Sequence, residues 1–118
     1  FEAYVSSYGI EGQYKKMTSE KLSSKKIVKL ANDHDEISTK VMKKFTKYLT
    51  LAISHLVLLY DPEMIILAGG IIEYYPKIIK IIKKETQKLS LEKIFEKVVI
   101  KKSDLGEYCG AHGALALA

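Results

Sequence analysis

The sequence predicts an α/β fold in which short parallel strands are packed by helices. Residues 64–68 form a wholly apolar run, Met-Ile-Ile-Leu-Ala, which is too short for a helix core and suits a strand covered on both faces. Residues 98–100 form a second apolar run, Val-Val-Ile, and a Lys/Ile-rich amphipathic pattern separates the two runs. Because strands that alternate with helical patterns form βαβ units, we expect these two strands to be parallel.

The bulk composition is that of one ordinary globular domain. The chain has 118 residues, of which 47% are hydrophobic and 28% are charged, so it can bury a hydrophobic core. No run approaches the roughly 18–20 consecutive apolar residues that a membrane span needs, and we expect no membrane partner. The chain begins with Phe1 and Glu2 rather than with an initiator Met or a signal peptide. We therefore expect residues 1–118 to be a single domain of a longer protein.

The single cysteine, Cys109, bears on the cellular compartment. One cysteine excludes an internal disulfide and a cysteine-rich zinc cluster within these residues. Because disulfides are rare in the reducing cytoplasm, this cysteine usage predicts a cytoplasmic protein.

The N-terminal part of the chain carries a helical pattern interrupted by glycines. Apolar residues at three- and four-residue spacing predict a helix over residues 1–14 that loosens at Gly9 and Gly12. The polar stretch over residues 15–22 is expected to be a loop.

Two further helices are predicted before the first strand. Ser23 or Ser24 can cap a short helix, because a serine hydroxyl accepts a hydrogen bond from the backbone of the first turn. The longest pattern covers residues 36–60, and it is apolar nearly all round over residues 49–60, so we expect that end to be the buried one. Pro62 lacks an N–H and restrains the residue before it, so the helix ends there.

Beyond the first strand the pattern predicts two helices and, between them, a short helical turn. Pro76 is well placed to open a helix that carries an inner stripe of isoleucines. A short helical turn is expected at residues 91–95, before the second strand. Residues 107–118 predict a last helix, whose glycines and alanines would let it pack close to a sheet.

Two adjacent glycines, Gly69 and Gly70, follow the first predicted strand directly. Paired glycines at this point let the backbone turn sharply, and they let a ligand lie against the turn without a Cβ in the way. The turn is therefore a candidate nucleotide-binding edge, and the alternative is a strand-to-helix turn without a ligand. It is not a Walker loop that grips phosphates, because no Gly-Lys-Ser/Thr follows it.

The net charge of +5 arises from 19 basic and 14 acidic residues. Most lysines in the helical patterns fall opposite the apolar stripes, as solvated helix faces do. A nucleic-acid surface favours arginine with interleaved aromatic residues, and the chain has no arginine-rich run, so direct nucleic-acid binding is disfavoured. These lysines are Lys40, Lys43, Lys44, Lys47, Lys77, Lys80, Lys83 and Lys84.

Three segments in register resemble the C-terminal part of ROK proteins. They are Phe-Glu-Ala-Tyr-Val-Ser at residues 1–6, Leu-Ala-Gly-Gly-Ile after Asp-Pro-Glu, and Gly-Ala-His-Gly-Ala-Leu-Ala at residues 110–116. The family contains bacterial sugar kinases and sugar-responsive transcriptional repressors, and the resemblance covers essentially the whole chain. It implies an actin-like, hexokinase-like (ribonuclease H-like) ATPase fold, of which this chain is the C-terminal lobe.

The resemblance also implies roles for individual residues. Glu2 matches the family's sugar-binding glutamate, which lies two residues beyond the last cysteine of a structural zinc motif expected just upstream. Gly69 and Gly70 match the glycines on the adenosine side of the ATP site. The catalytic aspartate, the phosphate-binding segment and the zinc ligands all precede this region in the family, so we expect no catalytic or metal-binding residue here.

We expect the remaining aspartates and histidines to have structural roles. Aspartate commonly caps helices and closes turns, and none of these aspartates matches the family's catalytic position. No histidine has a partner at the spacing of metal ligands. The aspartates are Asp33, Asp35, Asp61 and Asp104, and the histidines are His34, His55 and His112.

Two functions remain open. In the first, the chain is part of a ROK kinase that transfers the γ-phosphoryl group of ATP, with Mg²⁺, to a hexose hydroxyl, and the isolated 118 residues are inactive. In the second, it is the sugar-sensing domain of a ROK repressor, which binds DNA only if a helix-turn-helix lies upstream. In either case the full-length protein is expected to be a homodimer, and an isolated lobe could itself dimerise through its Lys/Ile-rich helices.

Overall fold

Helices make up most of the described chain, and two short strands pair beside them. The computed structural model describes residues 6–89 and 91–104. The helices are α1 (Ser7–Thr18), α2 (Ser24–Asn32), α3 (Glu36–Tyr60), α4 (Gly70–Tyr74), α5 (Ile78–Lys88) and α6 (Glu92–Phe95). The strands are β1 (Met64–Leu67) and β2 (Val99–Lys102).

The two strands form a parallel pair, as predicted, with Met64 opposite Val99. One face of this sheet packs against the core through residues such as Ile65. On the other face, Met64 and Ile66 are 45% and 61% exposed. Within the described residues, the hydrophobic core contacts only one face of the sheet. The expectation that β1 is covered on both faces is therefore wrong for this part of the chain.

Side-chain caps set the starts of the first three helices. Ser6 Oγ accepts a hydrogen bond from the Gly9 N–H at 3.0 Å and begins α1. Ser23 rather than Ser24 is the cap of α2, since its Oγ accepts from the Lys26 N–H at 3.3 Å. Each bond satisfies a backbone donor that the first turn of a helix leaves without an intrahelical partner.

Asp35 caps α3, which confirms its predicted structural role. One carboxylate oxygen, Oδ2, accepts a hydrogen bond from the Ser38 N–H at 3.0 Å. This bond stabilises the ionised carboxylate and lowers the pKa of Asp35 below its ordinary value.

The course of α1 contradicts two expectations. The helix continues through Gly9 and Gly12, and the loop predicted over residues 15–22 begins only after α1 ends. Ile10 and Tyr14 lie one turn apart and are both buried. Burial of these side chains stabilises α1 against the cost of roughly 1 kcal/mol that Gly12 adds to the helix interior, and Gly9 lies in the first turn.

The predicted bounds of α3 are confirmed, but its buried end is not the one expected. Leu58 and Leu59 are 65% and 75% exposed, although both belong to the apolar stretch over residues 49–60. The buried stripe includes Thr46 and Thr50, whose hydroxyls donate to backbone carbonyls one turn earlier, at 2.8 Å in both cases. A hydroxyl satisfied within its own helix can be buried at little cost, so hydropathy alone misassigned the buried end.

The segment after β1 forms two helices where one was expected. α4 begins at Gly70, the second of the two glycines, and α5 begins at Ile78, after the turn that contains Pro76. Ile78 and Ile82 are fully buried, which confirms the predicted isoleucine stripe. α6 lies within the turn predicted at residues 91–95. The helix predicted over residues 107–118 lies outside the described residues.

The core is centred on α3, which packs against α1, α2, α5 and α6. Ile27 and Val28 of α2 and Met42 of α3 are fully buried. Among residues 6–89 and 91–104, no helix combines the length and the apolar character that a bilayer crossing requires.

Candidate functional site

A cavity of about 360 Å³ opens at the carboxyl end of β1, between the glycine turn and α2. Ligands of open α/β folds bind at the carboxyl ends of the strands, and the lining suits one that is mostly apolar. The apolar lining residues are Val28, Phe45, Leu49, Leu67, Ala68, Ile71 and Ile72. The other lining residues are Ser7, Ser24, Lys25, Gly69, Gly70 and Tyr74.

The two glycines of the turn differ in backbone conformation. Gly69 has φ +118° and ψ 168°, a conformation that L side chains rarely adopt, and it is the N-cap residue of α4. A Cβ built on Gly69 meets no atom within 4 Å, so the restriction there is conformational. A Cβ built on Gly70 would lie 3.8 Å from Tyr74 Cε2, an ordinary contact. Gly69 is therefore required by the backbone, whereas Gly70 could carry a Cβ without strain or a clash.

Lys25 of α2 is the one lysine among the residues that line this cavity. Lys25 Nζ lies 4.7 Å from the centroid of the Tyr74 ring, a cation–π contact. The Asn32 side-chain amide donates a hydrogen bond to the Tyr74 carbonyl oxygen at 2.9 Å. These two contacts hold α4 against α2 and place a positive charge at the rim of an apolar cavity.

The start of α2 is anchored to α1, and this positions the polar side of the cavity. The Ser24 N–H donates to Glu11 Oε1 at 2.9 Å, while the preceding Ser23 supplies the cap described above. Ser24 and Lys25 therefore line the cavity from the start of α2, which two hydrogen bonds hold in place.

A second, polar pocket of about 350 Å³ lies at the carboxyl end of β2. Its lining includes Glu73 and Lys102, whose side chains form an ion pair with Nζ and Oε2 3.1 Å apart. The Ser103 N–H donates to the Leu67 carbonyl oxygen at 2.7 Å and extends the pairing of the two strands by one bond. Both strands of the sheet thus end at a pocket.

The structure describes only some of the residues for which the sequence predicted a binding role. Gly69 and Gly70 form the turn predicted for them and line the cavity. Glu2 and Cys109 lie outside the described residues. Within the described residues no three His, Cys, Asp or Glu side chains lie close enough together to hold a metal ion.

Lys25, Asn32 and Tyr74 were not identified from the sequence. Each lies in or beside a helical pattern with no motif around it, and their proximity depends on how α4 packs against α2. The sequence signal that could have located them is positional, since residues near the turn after a parallel strand are the first candidates for ligand contact.

Comparison with known proteins places the chain among relatives of two kinds. The family model described as the ROK family matches residues 1–118. The N-acetyl-D-glucosamine kinase of Histophilus somni (strain 129Pt) is 30% identical over 122 residues, which cover 98% of this chain and 37% of that kinase. The corresponding kinase of Pasteurella multocida (strain Pm70) is 28% identical over 119 residues, with 98% and 38% covered.

A solved structure extends the similarity to the fold. The crystal structure of a ROK family transcriptional regulator, a homologue of the E. coli MLC protein, has a TM-score of 0.70 and 25% sequence identity to this chain. The similarity covers 86% of this chain and 28% of the regulator. The chain thus spans well under half the length of the proteins it matches. With the family model matched over residues 1–118, the chain belongs to the ROK family, as its sequence motifs predicted.

Proposed function

We propose that this chain is the C-terminal lobe of a longer ROK protein with an actin-like ATPase fold, and that its cavity holds the adenosine of ATP. The observation that carries the proposal is the turn at Gly69, which opens an apolar cavity at the carboxyl end of β1. The matched kinases support a longer protein, because this chain covers only 37% and 38% of their lengths.

The residues that line the cavity fit a nucleoside. A volume of about 360 Å³ lies within the range of roughly 300–1,000 Å³ common for small-molecule sites. Apolar side chains such as Phe45 and Ile72 suit a planar base, and the bare backbone of Gly70 leaves room for a sugar ring. Lys25 supplies a positive charge for the phosphates.

The proposed reaction is phosphoryl transfer from ATP to a hexose or an N-acetylhexosamine, a substrate class consistent with the names of the matched kinases. Glu2 would accept hydrogen bonds from adjacent sugar hydroxyls, because a carboxylate forms strong, charge-assisted bonds. The resemblance to ROK proteins supports assigning the Mg²⁺ site, the catalytic base and the structural zinc to segments upstream, because in the family the residues that form them precede this region. When bound, Mg²⁺ neutralises charge on the transferred phosphoryl group.

The test is an assay of the full-length protein with ATP, Mg²⁺ and a panel of hexoses and N-acetylhexosamines. We expect ADP to form with one or a few sugars, and we expect none from the isolated 118-residue chain. Absence of ADP with every sugar, in a protein that still binds sugar, would exclude the kinase.

A second function is favoured by the structural match to a ROK family transcriptional regulator. In that case the same lobe would sense a sugar without turnover, and an upstream helix-turn-helix would bind DNA. Operator binding that changes with sugar, together with the absence of ADP formation, would establish the repressor.

The proposal includes a cytoplasmic homodimer. The exposed apolar side chains Leu58, Leu59 and Tyr60 at the end of α3 offer a surface on which a second copy can associate. Sedimentation at several concentrations tests this: a species of constant monomer mass would refute the dimer.

A further inference from the structure

The Tyr74 side chain lies directly beside the bare backbone of the glycine turn. α4 begins at Gly70 and ends at Tyr74, so the two residues are four apart and lie on the same face of the helix. Long side chains on a helix point back toward its N-terminus, which brings the ring next to Gly70. A Cβ built on Gly70 would lie 3.8 Å from Tyr74 Cε2, so a longer side chain there would cover this edge of the ring. Both residues line the cavity, and Gly70 leaves the ring accessible from within it.

The two tyrosines at the end of α4 have different environments. Tyr75 is only 3% exposed and belongs to the hydrophobic core. Tyr74 packs against the edge of that core, but it is half-buried and also lines the cavity, whereas Tyr75 does not. Of the two rings, Tyr74 is therefore the one that a ligand in the cavity would contact.

Two residues of α2 hold Tyr74 in place. Lys25 and Asn32 are seven residues apart, about two helical turns, so both lie on the face of α2 that meets α4. Lys25 contacts the ring, while the Asn32 amide donates to the Tyr74 carbonyl oxygen. A helix of five residues has little stability of its own, and its last carbonyls lack intrahelical partners. The Asn32 bond satisfies one of these carbonyls and thereby fixes where α4 ends.

We propose that Tyr74 contacts the nucleoside of the bound nucleotide and that Asn32 is the residue that positions it. This inference rests on the proposed function, since it assigns residues within the same site. A nucleoside that lies on the glycine turn meets the Tyr74 ring beside Gly70, and an aromatic ring offers a large, rigid contact surface. The ring thus serves the nucleoside, while Lys25 serves the phosphates.

The test measures the affinities of the full-length protein for adenosine, ATP and sugar by calorimetry. Adenosine is the decisive probe, because it is uncharged and its affinity does not respond to a change of charge beside the phosphates. Tyr74→Leu removes the ring but keeps an apolar side chain, and Tyr74→Phe keeps the ring. Tyr8→Leu is the matched control, since Tyr8 is 86% exposed and does not line the cavity. Circular dichroism checks that each variant is folded.

We expect Tyr74→Leu to bind adenosine and ATP roughly three- to tenfold more weakly, the loss that one aromatic contact accounts for. Sugar affinity should be retained. Tyr74→Phe should recover most of the loss, and Tyr8→Leu should bind all three ligands as the unmodified protein does. Unchanged adenosine affinity in Tyr74→Leu, or an equal loss in Tyr8→Leu, would overturn the proposal.

Asn32→Asp tests the positioning role separately. The carboxylate has nearly the same shape as the amide but cannot donate to the Tyr74 carbonyl, so α4 should shift. Adenosine affinity should then fall several-fold while sugar affinity is retained, and Asn32→Gln, which keeps the amide donor, should recover part of the loss. A loss of ATP affinity without a loss of adenosine affinity would show that the added charge acts on the phosphates, and it would overturn the role of Asn32. Parallel losses of adenosine and sugar affinity would overturn it too, since they would reflect a general loss of structure.

Gly70→Val distinguishes the failure of this inference from the failure of the proposed function. If Gly70→Val weakens ATP binding and Tyr74→Leu does not, the nucleotide site is supported and the role of Tyr74 is refuted. If the unmodified protein binds neither ATP nor adenosine, both are refuted. Should Tyr74→Leu fail to fold, Asn32→Asp, which keeps the ring, decides the outcome.

Discussion

Lys102 Nζ lies 3.1 Å from Glu73 Oε2, and this ion pair joins the end of β2 to α4. The Glu73 N–H in turn donates to the Gly69 carbonyl oxygen at 3.0 Å. The turn that opens the cavity is therefore tied to the neighbouring strand, while the Asn32 amide holds the far end of α4 through Tyr74. Both charged side chains are 36% exposed, so solvent screens the pair and its role is positional.

Replacing Lys102 by Met should loosen the glycine turn without unfolding the protein. A screened ion pair contributes about 0–1 kcal/mol to stability, so the unfolding free energy in urea should fall by no more than that. Affinity for ATP should fall several-fold, because α4 loses its link to β2. The control is Lys101→Met, which removes an exposed lysine of the same strand. Equal effects of both variants on ATP affinity would contradict this role of Lys102.

The two glycines should respond in opposite ways to alanine. Gly69→Ala forces a side chain into a backbone region that glycine adopts almost alone, and the expected cost in unfolding free energy is about 1–3 kcal/mol. Gly70→Ala has no such strain, and replacing a helical glycine should leave stability unchanged or raise it by up to about 1 kcal/mol.

The effect of Gly70 substitutions on nucleotide binding distinguishes a loss of the binding site from a loss of stability. Gly70→Ala, and more strongly Gly70→Val, should weaken ATP binding while sugar affinity is retained, because the added carbons occupy the cavity beside Tyr74. Calorimetric titration with ATP and with sugar measures both affinities. Unchanged ATP affinity in the well-folded Gly70→Val protein would refute the nucleotide site.

Lys25 should interact with the phosphates rather than with the adenosine. Lys25→Gln removes the one positive charge among the residues of the cavity wall and should lower ATP affinity on the order of tenfold, the equivalent of one charge-assisted hydrogen bond. Adenosine affinity should change little. Lys26→Gln is the control, since its exposed side chain is adjacent in sequence but does not line the cavity. A parallel loss of ATP and adenosine affinity would show that Lys25 acts through packing on Tyr74.

Glu2 is predicted to bind sugar. In the full-length protein, Glu2→Gln should weaken sugar affinity by roughly ten- to a hundredfold, because a charge-assisted hydrogen bond is worth about 1.5–3 kcal/mol. ATP affinity should be nearly intact. Glu20→Gln, a charge-matched change at an exposed residue, should alter neither affinity. If Glu2→Gln weakens ATP and sugar to the same extent, the assignment is wrong.

The sequence was sufficient to predict where an element begins when a side chain or a glycine at that position sets the start. Ser23 and Asp35 begin helices through their own side chains, and the glycine turn needs only Gly69 and its neighbours. The buried face of α3 could not be found this way. It depends on Thr46 and Thr50, which are polar by composition but are satisfied within their own helix.

The candidate site shows the same division between local and tertiary information. Two adjacent glycines after an apolar strand indicate a turn, so the position of the turn could be predicted from the sequence. Lys25 lies beside Tyr74 at the site, and Asn32 bonds to the Tyr74 carbonyl, only because α2 packs against α4. No spacing along the chain encodes this packing.

Asp35 should make part of the protein's stability sensitive to acid. The hydrogen bond from the Ser38 N–H lowers the pKa of Asp35, so the ionised cap stabilises the folded state above the ordinary pKa of aspartate, about 4. That contribution is lost as the pH falls through the lowered pKa. Asp35→Asn keeps a side-chain oxygen that can cap the helix but does not titrate. Its stability should therefore decline less steeply in acid than that of the unmodified protein.

Urea unfolding followed between about pH 2 and 7 measures this difference in slope, over the window set by the ordinary and the lowered pKa. Asp35→Ala lacks any capping oxygen and should be destabilised at neutral pH, where Asp35→Asn should retain most of the stability. Asp61→Asn is the control on the same helix, because asparagine tolerates the left-handed backbone at φ +46°. If Asp61→Asn flattens the acid slope as much as Asp35→Asn does, the effect arises from net charge and not from the cap.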